Sequence, residues 1–232
     1  MMYEALRQRV YDACQQLPAS NLAILTWGNV SEIDRKNEVI AIKPSGVPYD
    51  MMKAEDIVIC DLSGNVIDGI LRPSSDLPTH LVLYKAWPQI GSIVHTHSPW
   101  ATMLAQAGTD LEPLGTTHAD TFFGSVPCTR ALTKEEIEGE YEKQTGQVII
   151  KTFEERHVIP EQVPAVLVAS HGPFAWGHDP KEAVENALIL EQCAWMAIVD
   201  RLIDPDLCAV HSCLLDRHYQ RKHGKNATYG QH

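Results

Sequence analysis

Two runs in this chain carry no charge and end in histidine, and any fold the chain adopts has to accommodate both. Gly91-Ser92-Ile93-Val94-His95-Thr96-His97 closes on two imidazoles either side of one residue, and the apolar run Val163 to Ala169 leads into Ser170-His171-Gly172-Pro173. Runs of this length and type read as strands. Alternate side chains of a strand share a face, so His95 and His97 can aim their ring nitrogens at one point. The pair alone is a weak signal, because 11 His in 232 residues produce such a spacing by chance. Its meaning depends on what surrounds it.

Residues 2–17 place Leu6, Val10, Ala13, Cys14 and Leu17 at helical spacing before Pro18, which predicts a first helix. Asn21 to Trp27 reads as a strand running into Gly28-Asn29-Val30-Ser31. Glu38 to Ile42 and Asp56 to Asp61 read as the next two. Ser63-Gly64-Asn65 is turn chemistry, so Val66 to Gly69 should return as a hairpin. Strands in such close succession favour antiparallel pairing.

Pro73-Ser74-Ser75-Asp76-Leu77-Pro78 has the composition of a helix start, and that helix should run through Trp87 to Pro88. Ser98-Pro99 opens another through Met103 and Ala107, and Thr133-Lys134-Glu135-Glu136 matches a capping box that begins a polar helix. Asp179-Pro180 opens the longest helix, to about Leu202, and Leu214 to His223 is short, helical and basic. No repeat, low-complexity segment or linker divides the chain, so residues 1–232 read as a single α/β domain with helices packed around a sheet.

The formal net charge of -11 repels phosphate backbones and anionic lipid surfaces, which argues against nucleic acid and membrane as partners. A phosphorylated small molecule would need a local cluster of donors. The first residues lack the basic start and apolar centre of a signal peptide, and no apolar run is long enough to span a bilayer, so a cytoplasmic location is expected. Cys14, Cys60, Cys128, Cys193, Cys208 and Cys213 form no Cys-x-x-Cys pair, which suits reduced thiols.

Two constellations carry chemistry. His171 ends a buried strand, with Gly172 after it to let the backbone turn, and Asp76 stands at a helix start with no basic neighbour in sequence. His95, His97, His171 and Asp76 thus give three imidazoles and a carboxylate at the ends of regular elements. That donor set suits a borderline ion such as Zn²⁺ and can leave a position open to substrate oxygens. The second constellation is Gly28-Asn29, Lys43-Pro44-Ser45-Gly46 and Ser74-Ser75, loops rich in small residues, hydroxyls and free N–H groups. Ser74 and Ser75 also precede a helix, whose positive end favours phosphate. Neither a Gly-x-x-x-x-Gly-Lys loop nor a Gly-x-Gly-x-x-Gly turn is present, which favours a small phosphorylated metabolite over a nucleotide.

The strings LTWGNVS (25–31), IKPSGV (42–47), RPSSDLPTH (72–80), IVHTHSPWA (93–101), GTTHADTFFG (115–124), PCTR (127–130), ASHGPFAWG (169–177) and RKHGKNATYGQ (221–231) resemble the class II aldolase/adducin family, and within it the sugar-phosphate 4-epimerase branch. The likeness runs from the first helix to the last residues. It implies a single-domain αβα sandwich with a central, largely antiparallel sheet, and a fourfold homotetramer with active sites between adjacent subunits. It implies Asp76, His95, His97 and His171 as ligands of one divalent ion per subunit, usually Zn²⁺, with Mn²⁺ or Co²⁺ as substitutes. Gly28, Asn29, Lys43, Ser45, Gly46, Ser74 and Ser75 match the substrate and phosphate pocket. Asp120 matches one catalytic acid/base, and Tyr229, supplied by the neighbouring subunit, matches the other. His218 and Arg221 match substrate-binding residues that reach the same neighbouring site. Thr228 departs from the aromatic residue common at its position.

The activity this resemblance implies is epimerisation of L-ribulose 5-phosphate, a phosphorylated ketopentose, to D-xylulose 5-phosphate at C4. The hydrogen on C4 is one carbon too far from the C2 ketone to be acidic. Cleavage and re-formation of C3–C4 is therefore the available route, with the metal as Lewis acid. An L-arabinose or an ascorbate pathway would be served equally. Two alternatives remain open: a class II sugar-phosphate aldolase that releases its products, whose members typically place Glu where this chain has Asp76, and a non-catalytic adducin-like scaffold.

Overall fold

The structure is a computed structural model, and it describes residues 3–225, 227 and 228. After helix α1 (Glu4–Ala19) come four strands, β1 (Asn29–Asp34), β2 (Val39–Ile42), β3 (Val58–Asp61) and β4 (Val66–Asp68). Helix α2 (Leu77–Ala86) leads to β5 (Ser92–His95), followed by α3 (Pro99–Ala107), the single turn α4 (Thr116–Ala119), α5 (Lys134–Glu138) and α6 (Tyr141–Glu155). Strands β6 (Ala165–Val168) and β7 (Gly172–Gly177), then α7 (Pro180–Ile203) and α8 (Ser212–His223), complete the order.

The strands form one seven-stranded sheet, β4-β3-β2-β1-β5-β7-β6, and all its neighbouring pairs are antiparallel. Both faces are covered. Val39, Ala41, Ile57, Ile59, Val94, Ala165, Leu167 and Ala175 pack with α1, α3 and α7. The residues between them, Ile40, Ile42, Val58, Cys60, Ile93, Val166, Val168, Phe174 and Trp176, pack with α2 and α6. Two-sided burial is why these strands read as continuous apolar runs without polar alternation. The expected αβα sandwich with an antiparallel sheet is the observed architecture.

The local signals work where side chain and backbone agree. Asp179 caps α7 by accepting from the Glu182 N–H at 2.9 Å, with Pro180 as the first helical residue. The capping box at Thr133 also forms, with Glu136 N–H on the Thr133 hydroxyl at 3.3 Å and Thr133 N–H on the Glu136 carboxylate at 2.8 Å. Its helix is short, however. It stops before Gly139, and the buried helix α6 starts at Tyr141.

The strand expected over Asn21 to Trp27 is not there. Asn21 and Leu25 sit at φ of 57° and 56°, the left-handed region that no strand tolerates, and the Trp27 N–H turns back to the Ile24 carbonyl at 3.0 Å. The strand begins at Asn29, where pairing to β5 begins. Apolar content misled here because Ile24, Leu25 and Trp27 are exposed.

Candidate metal centre and its surrounding loops

The centre sits where the middle strands of the sheet end. Asn29 is the Cα partner of His95, and His95 is the partner of Phe174, so β1, β5 and β7 bring their ends side by side. His171 lies in the turn between β6 and β7, beside the same edge. Ring nitrogens of His95, His97 and His171 lie within 4.8 Å of one another. The His95 and His97 Nε2 atoms are 3.1 Å apart.

Neighbouring groups set which nitrogen faces the centre. His95 Nδ1 is 2.9 Å from the Pro173 carbonyl, which can only accept, so the proton is on Nδ1 and the Nε2 lone pair points inward. The ring also stacks on Phe174, with centroids 4.1 Å apart at 18°. Burial holds His95 well below the usual imidazole range, helped by the neighbouring His171 and His97. It lowers His97 against the opposing charge of Asp76, and it lowers His171, with His97 adding to the effect. Three neutral imidazoles converging on one point fit a divalent ion, and the exposed side at His97 leaves room for a further ligand.

Two glycines let the backbones close in. A Cβ on Gly28 would stand 2.8 Å from the His95 carbonyl oxygen, and its φ of +77° is also unfavourable for a side chain. A Cβ on Gly172 would meet the Thr96 carbonyl at 2.8 Å. The turn expected of Gly172 is made instead by Ser170, at φ 60°, so Gly172 serves close approach.

Asp76 caps the start of α2 in position but not in bonding, since its side chain makes no cap hydrogen bond. Its Oδ2 accepts from Asn29 Nδ2 at 2.7 Å, and the same amide group donates to Ser74 Oγ at 3.0 Å. The carboxylate acts electrostatically on His97 and His171, yet it stands outside the compact histidine group. One turn along, His80 is buried with Nδ1 2.7 Å from Ser31 Oγ, which also meets the Tyr84 hydroxyl at 2.7 Å.

The loops expected to bind an anion gather at this same end. Ser74 N–H donates to the Lys43 carbonyl at 3.0 Å and Ser45 N–H to the Arg72 carbonyl at 2.9 Å, which ties the 43–46 segment to 72–75. Ser45, Gly46 and Ser75 are exposed, and Asn29 and Ser74 are buried. Lys43 is buried too, and its ammonium lies under the loops, donating to the carbonyls of Val47 at 3.0 Å, Pro44 at 3.3 Å and Thr26 at 3.4 Å. Burial lowers its pKa. In this arrangement Lys43 ties the loops together from beneath.

Asp120, at the end of α4, belongs to a different cluster. Its Oδ1 accepts from His218 Nδ1 at 3.0 Å and Arg221 Nε at 3.1 Å, its Oδ2 from Arg221 Nη2 at 2.8 Å, and its carbonyl from His223 Nε2 at 2.8 Å. Burial opposes the Asp120 charge, but the bonds from Arg221 and His218 outweigh it and hold the carboxyl below the usual range. His218 and Arg221 thus meet Asp120 within one chain. Tyr229 lies outside the described residues.

Sequence reading missed Tyr141, whose hydroxyl is 3.4 Å from His171 Nδ1. It opens α6 after a break that the polar pattern of 133–142 did not signal. His80 could have been found, four residues after Asp76 on one helix face.

Fold and site together define an αβα protein whose sheet end is positioned to hold a divalent ion. The chain belongs to the family of class II aldolase and adducin N-terminal domains, whose pattern matches residues 8–198. Among solved structures it is similar to an L-fuculose 1-phosphate aldolase, at 25% identity and TM-score 0.79, over 94% of this chain and 95% of the other. It is also similar to the L-fuculose-1-phosphate aldolase of Thermus thermophilus, at 24% and TM-score 0.66 over 88% and 98%. YgbL of Klebsiella pneumoniae, for which aldolase, epimerase and decarboxylase activities are all open, is similar at 21% and TM-score 0.74 over 94% and 99%. Among the described residues no helix is long and apolar enough to cross a membrane.

Proposed function

We propose that the chain is an L-ribulose-5-phosphate 4-epimerase that binds one Zn²⁺ per subunit, with Mn²⁺ or Co²⁺ able to replace it. The carrying observation is the group of three imidazoles within 4.8 Å of one another, flanked by Asp76 and by loops with the exposed residues Ser45, Gly46 and Ser75. In this reading Asp76 completes the ligand set by turning from Asn29. Gly28, Asn29, Ser45, Gly46, Ser74 and Ser75 hold the phosphate and hydroxyls of the sugar.

A divalent ion at the triad supplies Lewis-acid stabilisation for the charge that develops when a bond next to a carbonyl breaks. Asp120, kept ionised by Arg221 and His218, takes the proton of the C4 hydroxyl. The C3–C4 bond breaks with its electron pair left on C3, and C4 becomes an aldehyde. The loops retain glycolaldehyde phosphate through its phosphate while the aldehyde turns its other face. C3 re-attacks, Tyr229 of a neighbouring subunit protonates the new C4 oxygen, and exchange with water then removes the proton from Asp120 and returns one to Tyr229. Two proton-transfer groups are needed because the oxygen leaves and returns on opposite sides. In a homotetramer the Asp120, His218 and Arg221 cluster of one subunit would meet the histidines of the next, which brings the two regions into one site.

The similarity to fuculose-phosphate aldolases favours a second reading, in which the fragments leave. Incubation with L-ribulose 5-phosphate distinguishes the two. The epimerase reading expects D-xylulose 5-phosphate without free aldehyde, loss of activity with chelator, and recovery with Zn²⁺ or Mn²⁺. Free glycolaldehyde phosphate in step with substrate loss would establish the aldolase.

A further inference from the structure

Trp27 takes no part in the ligand set or the proton transfers, and a large apolar side chain at 48% exposure beside a polar centre asks for a role. Its position follows from the turn that leads into β1. Asn29 is the first residue paired with β5, opposite His95, and the turn before it, with Gly28 at φ +77°, leaves Trp27 beside His97. The rings do meet there, with centroids 6.1 Å apart at 47°. His97 is the exposed member of the triad, so the indole borders its open side.

The backbone that carries the indole is held firmly. The Tyr49 hydroxyl lies 2.7 Å from the Trp27 carbonyl and 3.1 Å from that of Gly28, and donates to them. The Trp27 N–H donates to Ile24, and the Lys43 ammonium holds the Thr26 carbonyl. Gly28 abuts the His95 carbonyl, with room for no Cβ. A side chain with no acid, base or metal-binding function thus stands on a hydrogen-bonded loop beside the centre.

We infer that Trp27 is a specificity-determining wall that keeps the cleaved two-carbon aldehyde phosphate inside the site, so that C3–C4 is re-formed before the fragment leaves or its carbonyl adds water. This rests on the epimerase reading and deepens it. An indole face offers no hydrogen-bond donor that would hold the aldehyde oxygen in one orientation. The fragment can turn while its phosphate stays on the loops. The same face occupies space through which water would enter and the fragment would leave.

The test uses the full-length, metal-loaded protein as wild type, Trp27→Ala and Trp27→Phe. The readout is glycolaldehyde phosphate released per D-xylulose 5-phosphate formed, with metal content and oligomeric state measured on each sample. A single methylene in an apolar pocket is worth about 10- to 200-fold in discrimination, and Trp27→Ala removes far more than one. Trp27→Ala should therefore release at least about tenfold more aldehyde per epimerisation, with metal and assembly unchanged, and Trp27→Phe should restore most of the retention. A slower Trp27→Ala enzyme that still releases no aldehyde would overturn the inference, as would release that accompanies loss of metal or assembly. A second readout does not depend on turnover: the fluorescence difference between wild type and Trp27→Phe should change when 2-phosphoglycolate is added, and no change would overturn the inference. Wild type that forms no D-xylulose 5-phosphate defeats the epimerase reading, and the fluorescence measurement still decides whether Trp27 lines the site.

Discussion

The histidine centre and the Asp120 cluster are both built from a few polar side chains, but they are held in different ways. The centre is positioned by main chain: strand register puts His95 beside Asn29 and Phe174, a carbonyl fixes its tautomer, and glycines let the backbones touch. The Asp120 cluster is held by charge, one carboxylate between an imidazole and a guanidinium on α8. A metal needs donors that do not move. A group proposed to pass a proton, as Asp120 is, needs a charge its neighbours can tune. The first should be insensitive to salt and the second responsive to it.

The largest break in this comparison is removal of a ligand. His95→Ala or His171→Ala should weaken Zn²⁺ binding by more than about 100-fold, beyond the 10- to 100-fold typical of losing a supporting group. Competition titration against a chromogenic chelator measures it, and unchanged affinity would remove that residue from the ligand set. Asp120→Asn should lower turnover by about 100-fold or more, in the range of a lost acid/base group, and leave metal content intact by elemental analysis. Loss of the metal in this variant would merge the two regions and give Asp120 a structural role.

Smaller changes sharpen the contrast. Gly28→Ala forces a Cβ against the His95 carbonyl at positive φ, so thermal unfolding should show a loss of more than about 1 kcal/mol, the scale of Ala where φ is unfavourable. Wild-type stability would mean the loop is not pressed onto β5. The smallest effect is expected for Arg221→Gln. The Asp120 carboxyl is depressed below its unfolded value, so its stabilisation is present above the ordinary carboxylate pKa and is lost as pH falls through the folded one. Removing Arg221 raises the folded value. The acid limb of the turnover profile should then move to higher pH, with a stability change of about 1 kcal/mol or less for a pair this exposed. High salt should shift the wild-type limb in the same direction, and a profile indifferent to both would show that the clamp does not set the Asp120 charge.

These two regions also differ in how far the sequence alone reveals them. Strands β5 and β6 read as apolar runs because both their faces are buried, and histidines at such ends stand out; β7, which opens on Gly172-Pro173, was not read as a strand because glycine and proline signal a turn. Asp76 and the 43–46 and 72–75 loops were legible through cap and turn chemistry. Nothing local marks Asp120, because its partners His218 and Arg221 lie about a hundred residues away. They were found by family resemblance alone. Tyr141 was hidden for the same reason, its neighbour His171 lying 30 residues on. The strand expected over 21–27 failed because Ile24, Leu25 and Trp27 are apolar for a surface, and hydrophobicity carries no information about which side of the chain faces water.

Carbon-carbon cleavage that stays internal can be read from a single trapping experiment. Wild-type protein is stripped with chelator, reloaded with Zn²⁺, and given L-ribulose 5-phosphate in the presence of an aldehyde-trapping dehydrogenase. The account predicts D-xylulose 5-phosphate only in the reloaded sample and no signal from the trap. Epimerisation that survives chelation, or a trap signal that keeps pace with substrate loss, would contradict it.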